Sequence, residues 1–256
     1  MITIKAIHIA PVKSLGLVNP RTVDVTPSGI LEDRRLHLIN HRGRLLTQRE
    51  VGQLVQLKVE YQTEPESLCL RFPDGASLAD PLDFGEPVIT QIWGRYVPGH
   101  VVTGDWNSVL SHFCGEPVRL VRADQPGQCY DEYPVSLVSE ATVQRLSQQA
   151  RVSEVSFDSR RFRPTFFLDG CHPYEEDTWL GGAIQIGDQL LLRVVARDPR
   201  CDITTHDPET GRRDIDTLRL IRSYRPSSRA AYLGVYGIIE RPGTASLGDR
   251  VRTTSL

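Results

Sequence analysis

The sequence is poor in the features that mark several protein classes. Its five cysteines, Cys69, Cys114, Cys129, Cys171 and Cys201, are odd in number and widely spaced, with no C-x-x-C pair. Neither a disulfide framework nor a zinc ribbon is supported by that pattern. The seven histidines include no H-E-x-x-H, so a metal cage built from protein ligands alone is not expected. No apolar run approaches the ~20 residues of a membrane helix, and the start MITIKAIHIAPVKS has neither the charged head nor the long apolar stretch of a signal peptide. A cytoplasmic protein without a membrane partner is the expectation. A basic excess is missing too: the formal charge is −2, which argues against duplex nucleic acid as a partner. G-x-G-x-x-G and G-x-x-x-x-G-K-[ST] are both absent, which removes a dinucleotide fingerprint and a P-loop.

What is present reads as strands and turns. ITIKAIHIA and RTVDVT alternate with period two, as half-buried strands do. RLHLIN and RLLTQ flank His41, Arg42 and Gly43 as a hairpin, and VQLKVEY and SLCLRF flank TEPE as another. DWNSVLSHFCG has a helical face of Trp106, Val109, Leu110 and Phe113, with Asp105 to cap it and Gly115 to end it. Ser139 is placed to cap a helix over EATVQRLSQQA, and a third helix is expected around DIDTLRLIRSYR. IQIGDQLLLRV predicts a hairpin turning at Gly187 and Asp188. Many strands and few helices favour a mainly β (α+β) protein of barrels or sandwiches over a doubly wound sheet. A second unit is expected to begin near residue 116.

Four clusters carry candidate chemistry. In DPRCDITTHDPETG, Cys201 stands beside Arg200 with no second cysteine near. It reads equally as a packed loop thiol, a nucleophile or a soft metal ligand; adjacent cations favour the thiolate that the last two roles need. Thr204 and Thr205 follow at a spacing suited to an anion or to local capping. PVKSLG leaves Lys13 and Ser14 in a turn, either as a solvated loop or as a phosphate contact. EDRRLHL opens a strand with Arg34 and Arg35, one expected on each face. SRRFRPTFFLDG is expected to continue as a strand with Arg161 and Arg163 on one side. A concave site lined by Lys13, Arg34 and Arg163 would hold a phosphorylated or otherwise anionic group.

Taken in order, PVKSLG, GILEDRRLHLINHRGRLLTQRE, YPVSLVSEATVQRL, RFRPTFFLDG, EEDTW, IQIGD, RCDITTHDPETG and LGD resemble the MOSC family, the molybdenum-cofactor sulfurase C-terminal domain proteins. The likeness is to the two-part members with an N-terminal β-barrel extension, typified by the mitochondrial amidoxime-reducing components and their bacterial relatives. The resemblance implies an N-terminal MOSC β-barrel domain over 1–115 and a MOSC β-barrel domain with a few helices over 116–256. It implies a molybdenum cofactor of the molybdopterin type, with Cys201 as the metal-ligating and catalytic residue. Lys13, Ser14, Arg34 and Arg163 fall at the positions that bind pterin and phosphate, and Ser139, Thr165, Arg200 and Thr204 lie in matching segments. The implied activity is reduction of N-hydroxylated small molecules, with a separate electron-donor protein, since no cysteine cluster for an iron–sulfur centre is present. The alternative is a sulfur or cofactor carrier using a Cys201 persulfide without turnover. Pyridoxal phosphate binding is a further association of the family. This chain departs from the family pattern at Thr165, where asparagine is common. It departs again at Asp198 and Pro199, where cysteine or serine often stands, and at Asp202, usually apolar.

Overall fold

The computed structural model describes residues 1–150, 157–225, 227 and 230–254. Seven strands close into a barrel in the order Ile2–Ile7, Phe166–Asp169, Val135–Ser139, Ala231–Arg241, Leu190–Arg200, Ala183–Ile186 and Arg250–Thr254, which returns to Ile2–Ile7. Closure removes the free edges that an open sheet would expose. Val135–Ser139 and Phe166–Asp169 pair in parallel, and the connection between them carries helix α2, Glu140–Gln149, as a parallel pair requires. The barrel is filled by Ile4, Leu137, Phe166, Ile184, Leu192 and Val235, among others. Period two breaks in the first strand. The register shifts between Ile4 and Ala6, so Ile4 and Ile7 both turn inward while Lys5 stays outside.

The other unit is a five-stranded sheet in the order Leu45–Leu46, Leu36–Asn40, Val118–Ala123, Arg95–Val102 and Phe84–Ile92, with a separate meander of Lys58–Thr63, Glu66–Arg71 and Ser77–Pro81. Helix α1, Trp106–Cys114, buries Trp106 and Leu110 against Leu36, Leu38 and Leu120. Gly115 ends it at φ 73°, a left-handed position suited to glycine. Asp105 makes no side-chain cap, because its own backbone is already helical at φ −76° and ψ −7°. Asn107 anchors the helix start instead: its amide donates to Val102 O (3.0 Å) and its carbonyl accepts from Leu120 N (2.8 Å).

Two strands cross the expected division near residue 116. The first strand, Ile2–Ile7, belongs to the barrel, and Val118–Ala123 pairs with Leu36–Asn40 in the five-stranded sheet. A second small sheet joins Thr22–Thr26 to Gly243–Ser246 near the other end of the chain. The units are therefore stitched by backbone pairing, and a cavity between them draws walls from both.

Candidate functional site

The first wall forms where PVKSLG zips onto EDRR. Arg34 N donates to Ala10 O (2.8 Å), Leu36 N to Pro11 O (2.9 Å) and Lys13 N to Leu36 O (2.7 Å). One oxygen of Asp33 accepts from Ala10 N at 2.7 Å and the other pairs with the Arg34 guanidinium. Arg34 does not open a strand. It sits in the preceding turn at φ 53°, and the strand begins at Leu36. Arg34 lines the cavity, whereas Arg35 reaches toward Asp124 O. Ser14 is also left-handed, at φ 74°. Lys13 is buried, donates to Cys129 O and pairs with Asp131, both at 2.8 Å. Burial pulls its ammonium below the ordinary value against the attraction of Asp131. The partial desolvation of the half-exposed Asp131 side chain would raise it, but Lys13 and then Arg34 outweigh that and hold the carboxyl below the usual range.

The arginine cluster is a turn and not the expected strand. Ser159–Phe162 forms a 3-10 turn whose start is capped by Asp158 (accepting from Arg160 N at 2.9 Å), Arg163 follows at φ 47°, and the strand starts only at Phe166. Pro164, with no N–H to offer, ends the turn. Arg161 and Arg163 nevertheless both line the cavity. Arg161 forks onto both oxygens of Asp214 at 2.7 Å and donates to His206 O at 2.6 Å. Arg163 donates to Leu15 O at 2.8 Å and, among the described residues, pairs with no carboxylate. Burial and the like charge of Arg34 bring its guanidinium down to about 10. Thr165 ties this wall to its neighbour by reciprocal bonds: its hydroxyl accepts from Ser136 N (3.1 Å) and its N–H donates to Ser136 Oγ (3.0 Å).

The Cys201 wall is the end of the Leu190–Arg200 strand. Its register shifts three times, the last between Arg197 and Pro199, and Cys201 is the first residue beyond it. The 3-10 turn Asp202–Thr205 follows. The Thr204 hydroxyl donates to Cys201 O (2.9 Å) and meets Thr217 Oγ1 (2.7 Å), so it fixes the backbone that carries the thiol. Arg200 donates to Leu233 O (2.7 Å) and Phe162 O (2.8 Å) and pairs with Asp198 (2.8 Å). Arg49 lies over the Trp93 ring at 4.4 Å. Burial lowers its guanidinium, but hydrogen bonding to Cys201 and the charge of that sulfur raise it above its ordinary value.

These walls enclose about 460 Å³, a size suited to a small molecule or cofactor. Seven cationic side chains and three carboxylates line it. Among the described residues, five non-glycine positions have left-handed backbone, and four of them, Ser14, Arg34, Trp93 and Arg163, line this cavity. Such conformations cost about 1–3 kcal/mol each and cluster where function over-determines them. Of the expected site residues, Cys201, Lys13, Ser14, Arg34, Arg163, Thr165, Arg200 and Thr204 are brought together here. Ser139 is not. It caps α2, accepting from Thr142 N, and its hydroxyl donates to the buried Glu176 at 2.9 Å. Sequence reasoning missed Arg49, Trp93, Arg95, Asp131 and Tyr236. Arg49 lay within a quoted motif, but nothing local distinguished it from a hairpin arginine.

The loop after Cys201 reaches the other unit through two glycines. A Cβ added at Gly52 would lie 2.2 Å from Gly211 O, and one at Gly211 would lie 2.0 Å from Gly52 O. Arg161 holds the same loop through Asp214 and His206 O.

A seven-stranded barrel joined to a second β unit around a cationic, thiol-bearing cavity defines the class: a two-unit β protein with one cation-rich cavity. The chain belongs to the MOSC domain family, matching the MOSC domain over residues 123–252 and the MOSC N-terminal beta barrel domain over residues 1–117. Human mitochondrial amidoxime-reducing component 1 is 28% identical, over 97% of this chain and 82% of that protein. Human mitochondrial amidoxime reducing component 2 is 29% identical over the same shares. Among solved structures, the YUAD protein from Bacillus subtilis aligns with a TM-score of 0.47 at 13% identity, covering 100% of this chain and 97% of that one. No helix among the described residues is long and apolar enough to cross a membrane.

Two substitutions test this construction. Ser139→Ala should cost about 1–2 kcal/mol in chemical denaturation and leave ligand retention by the cavity unchanged. Gly52→Ala should lower stability by about 1–3 kcal/mol, because the new methyl meets backbone with no flexible atom to give way. Denaturation midpoints equal to wild type would remove each assignment.

Proposed function

We propose that this protein holds a molybdenum cofactor of the molybdopterin type in the cavity and reduces N-hydroxylated small molecules. The observation that carries the reading is the meeting, in one cavity, of a lone thiol with an excess of cations over carboxylates, Lys13 and Arg161 among them buried. The donor set fits such a group. Arg95 Nε, Arg161 Nε and Arg200 Nη2 are buried without a partner among the described residues, and unmet buried donors are costly unless an acceptor arrives. Arg163, which pairs with no carboxylate among the described residues, is placed to face an anion. Cys201 supplies the soft sulfur that a thiophilic metal needs. Bound there, the cofactor supplies the two-electron chemistry.

The chain's residues divide the remaining work. Lys13, Ser14, Arg34 and Arg163 bind the pterin and phosphate. Thr204 and Arg200 hold the backbone around Cys201, and Thr165 with Ser136 fixes the floor between them. The names of the relatives support an amidoxime or a related N-hydroxylated compound as substrate. A separate electron-donor protein supplies the reducing equivalents.

Protein made in a host that synthesises the cofactor should carry molybdenum and pterin, and should reduce an amidoxime with an artificial donor. Absence of both from the purified protein overturns the reading; cofactor with a transferable Cys201 persulfide and no turnover turns it to the carrier role. Lys13→Ala should weaken pterin retention by about 10- to 100-fold, the worth of one charge-assisted hydrogen bond. Cys201→Ser should abolish turnover with thermal stability close to wild type, since the thiol is only partly buried.

A further inference from the structure

Reduction of an N-hydroxylated nitrogen consumes protons as well as electrons: R–NHOH with two protons and two electrons gives R–NH2 and water. The cavity is full of cations, and guanidinium groups hold their protons too tightly to hand them on near neutral pH. Its three carboxylates differ. Asp131 is half exposed at its side chain and committed to Lys13 and to the Trp93 indole N–H. Glu132 is exposed. Asp198 alone is buried, at 3% exposure, near the end of the strand that delivers Cys201.

The surroundings of Asp198 suit a group that exchanges a proton. Arg200, on the same strand, pairs with it at 2.8 Å but does not depend on it, being held also by Leu233 O and Phe162 O. Tyr236, on the adjoining strand, hydrogen-bonds to it. Asp131 and Glu132 act on it from the loop before Val135–Ser139, and Arg161 and Arg163 line the same cavity from the turn before Phe166.

We propose that Asp198, with Tyr236 as its hydrogen-bonding neighbour, is the acid that protonates the departing oxygen when the substrate N–O bond is cleaved. This rests on the reductive reading above. As two electrons enter, the N–O bond breaks, and the departing hydroxide takes the Asp198 proton and leaves as water. The nitrogen takes the second proton from solvent, and water entering the cavity reprotonates Asp198. Burial pushes this carboxyl up to about 6, against the pull of Arg200 and then of Tyr236. The acid form therefore predominates below that value and is lost as pH rises through it, the range in which a general acid is useful.

The test has two arms. In the cofactor-free protein, infrared difference spectra across about pH 4 to 8 should show a protonated-carboxyl band that fades near pH 6 and is missing from D198N. Absence of any such band difference between the two proteins overturns the proposal whatever the activity. In the loaded enzyme with an amidoxime, kcat should fall about tenfold per pH unit above the Asp198 midpoint. D198N should lose that limb and about 10²–10⁴-fold in kcat, with KM little changed. D198N with wild-type kcat and pH profile overturns the proposal and leaves the reductase reading standing. A loaded wild type that reduces nothing at any pH overturns the reductase reading, and the proposal falls with it, band or no band.

Discussion

Crowded positive charge governs this molecule. Cations brought out of water repel one another and lose solvation, and they stay only if something else in the fold over-determines them. Each is held differently. Asp33 serves Arg34 and the Ala10 N–H together, Asp131 serves Lys13, Asp214 takes both arms of Arg161, and main-chain carbonyls hold Arg163 and Arg200. The left-handed backbone at Ser14, Arg34 and Arg163 is a second cost accepted at the same place. Charge and strain concentrate in one cavity, where four of the five left-handed non-glycine positions among the described residues lie.

The barrel makes that concentration sustainable. A closed sheet is a rigid frame, and a site on rigid elements keeps its geometry better than one on loops. The cysteine leaves the barrel at the end of its Leu190–Arg200 strand, and Thr204 ties its carbonyl before the chain wanders. The loop beyond then crosses to the other unit, where Gly52 and Gly211 allow two backbones to touch. The thiol and the Lys13–Arg34 wall thus belong to one object, though nearly 190 positions separate Lys13 from Cys201 in the chain.

Much of this was legible beforehand. The hairpins, the Ser139 cap, the Gly115 stop and the grouping of Lys13, Arg34, Arg163 and Cys201 all followed from pattern or from the resemblance. The errors share a cause. Arg34 and Arg163 were read as strand residues because arginine alternation resembles a strand, but Asp33, Asp158 and Pro164 impose turns that periodicity does not register. Ser139 was given two roles, and a hydroxyl already spent on Thr142 and Glu176 has no bond left for the cavity. Arg49 and Tyr236 carry no local signal, since only their neighbours in space make them part of the site.

By itself, the sequence determined which side chains could do chemistry here: a soft sulfur, a set of cations and a family of short strands, all properties of residue type and local spacing. Tertiary structure alone decided which of them meet, which are already spent on structural bonds, and which, like Asp198, are buried deeply enough to change character. The physical reason is that desolvation and pairing depend on neighbours far away in the chain. A carboxyl in DPRC is an ordinary acid until the barrel wall and Tyr236 close around it.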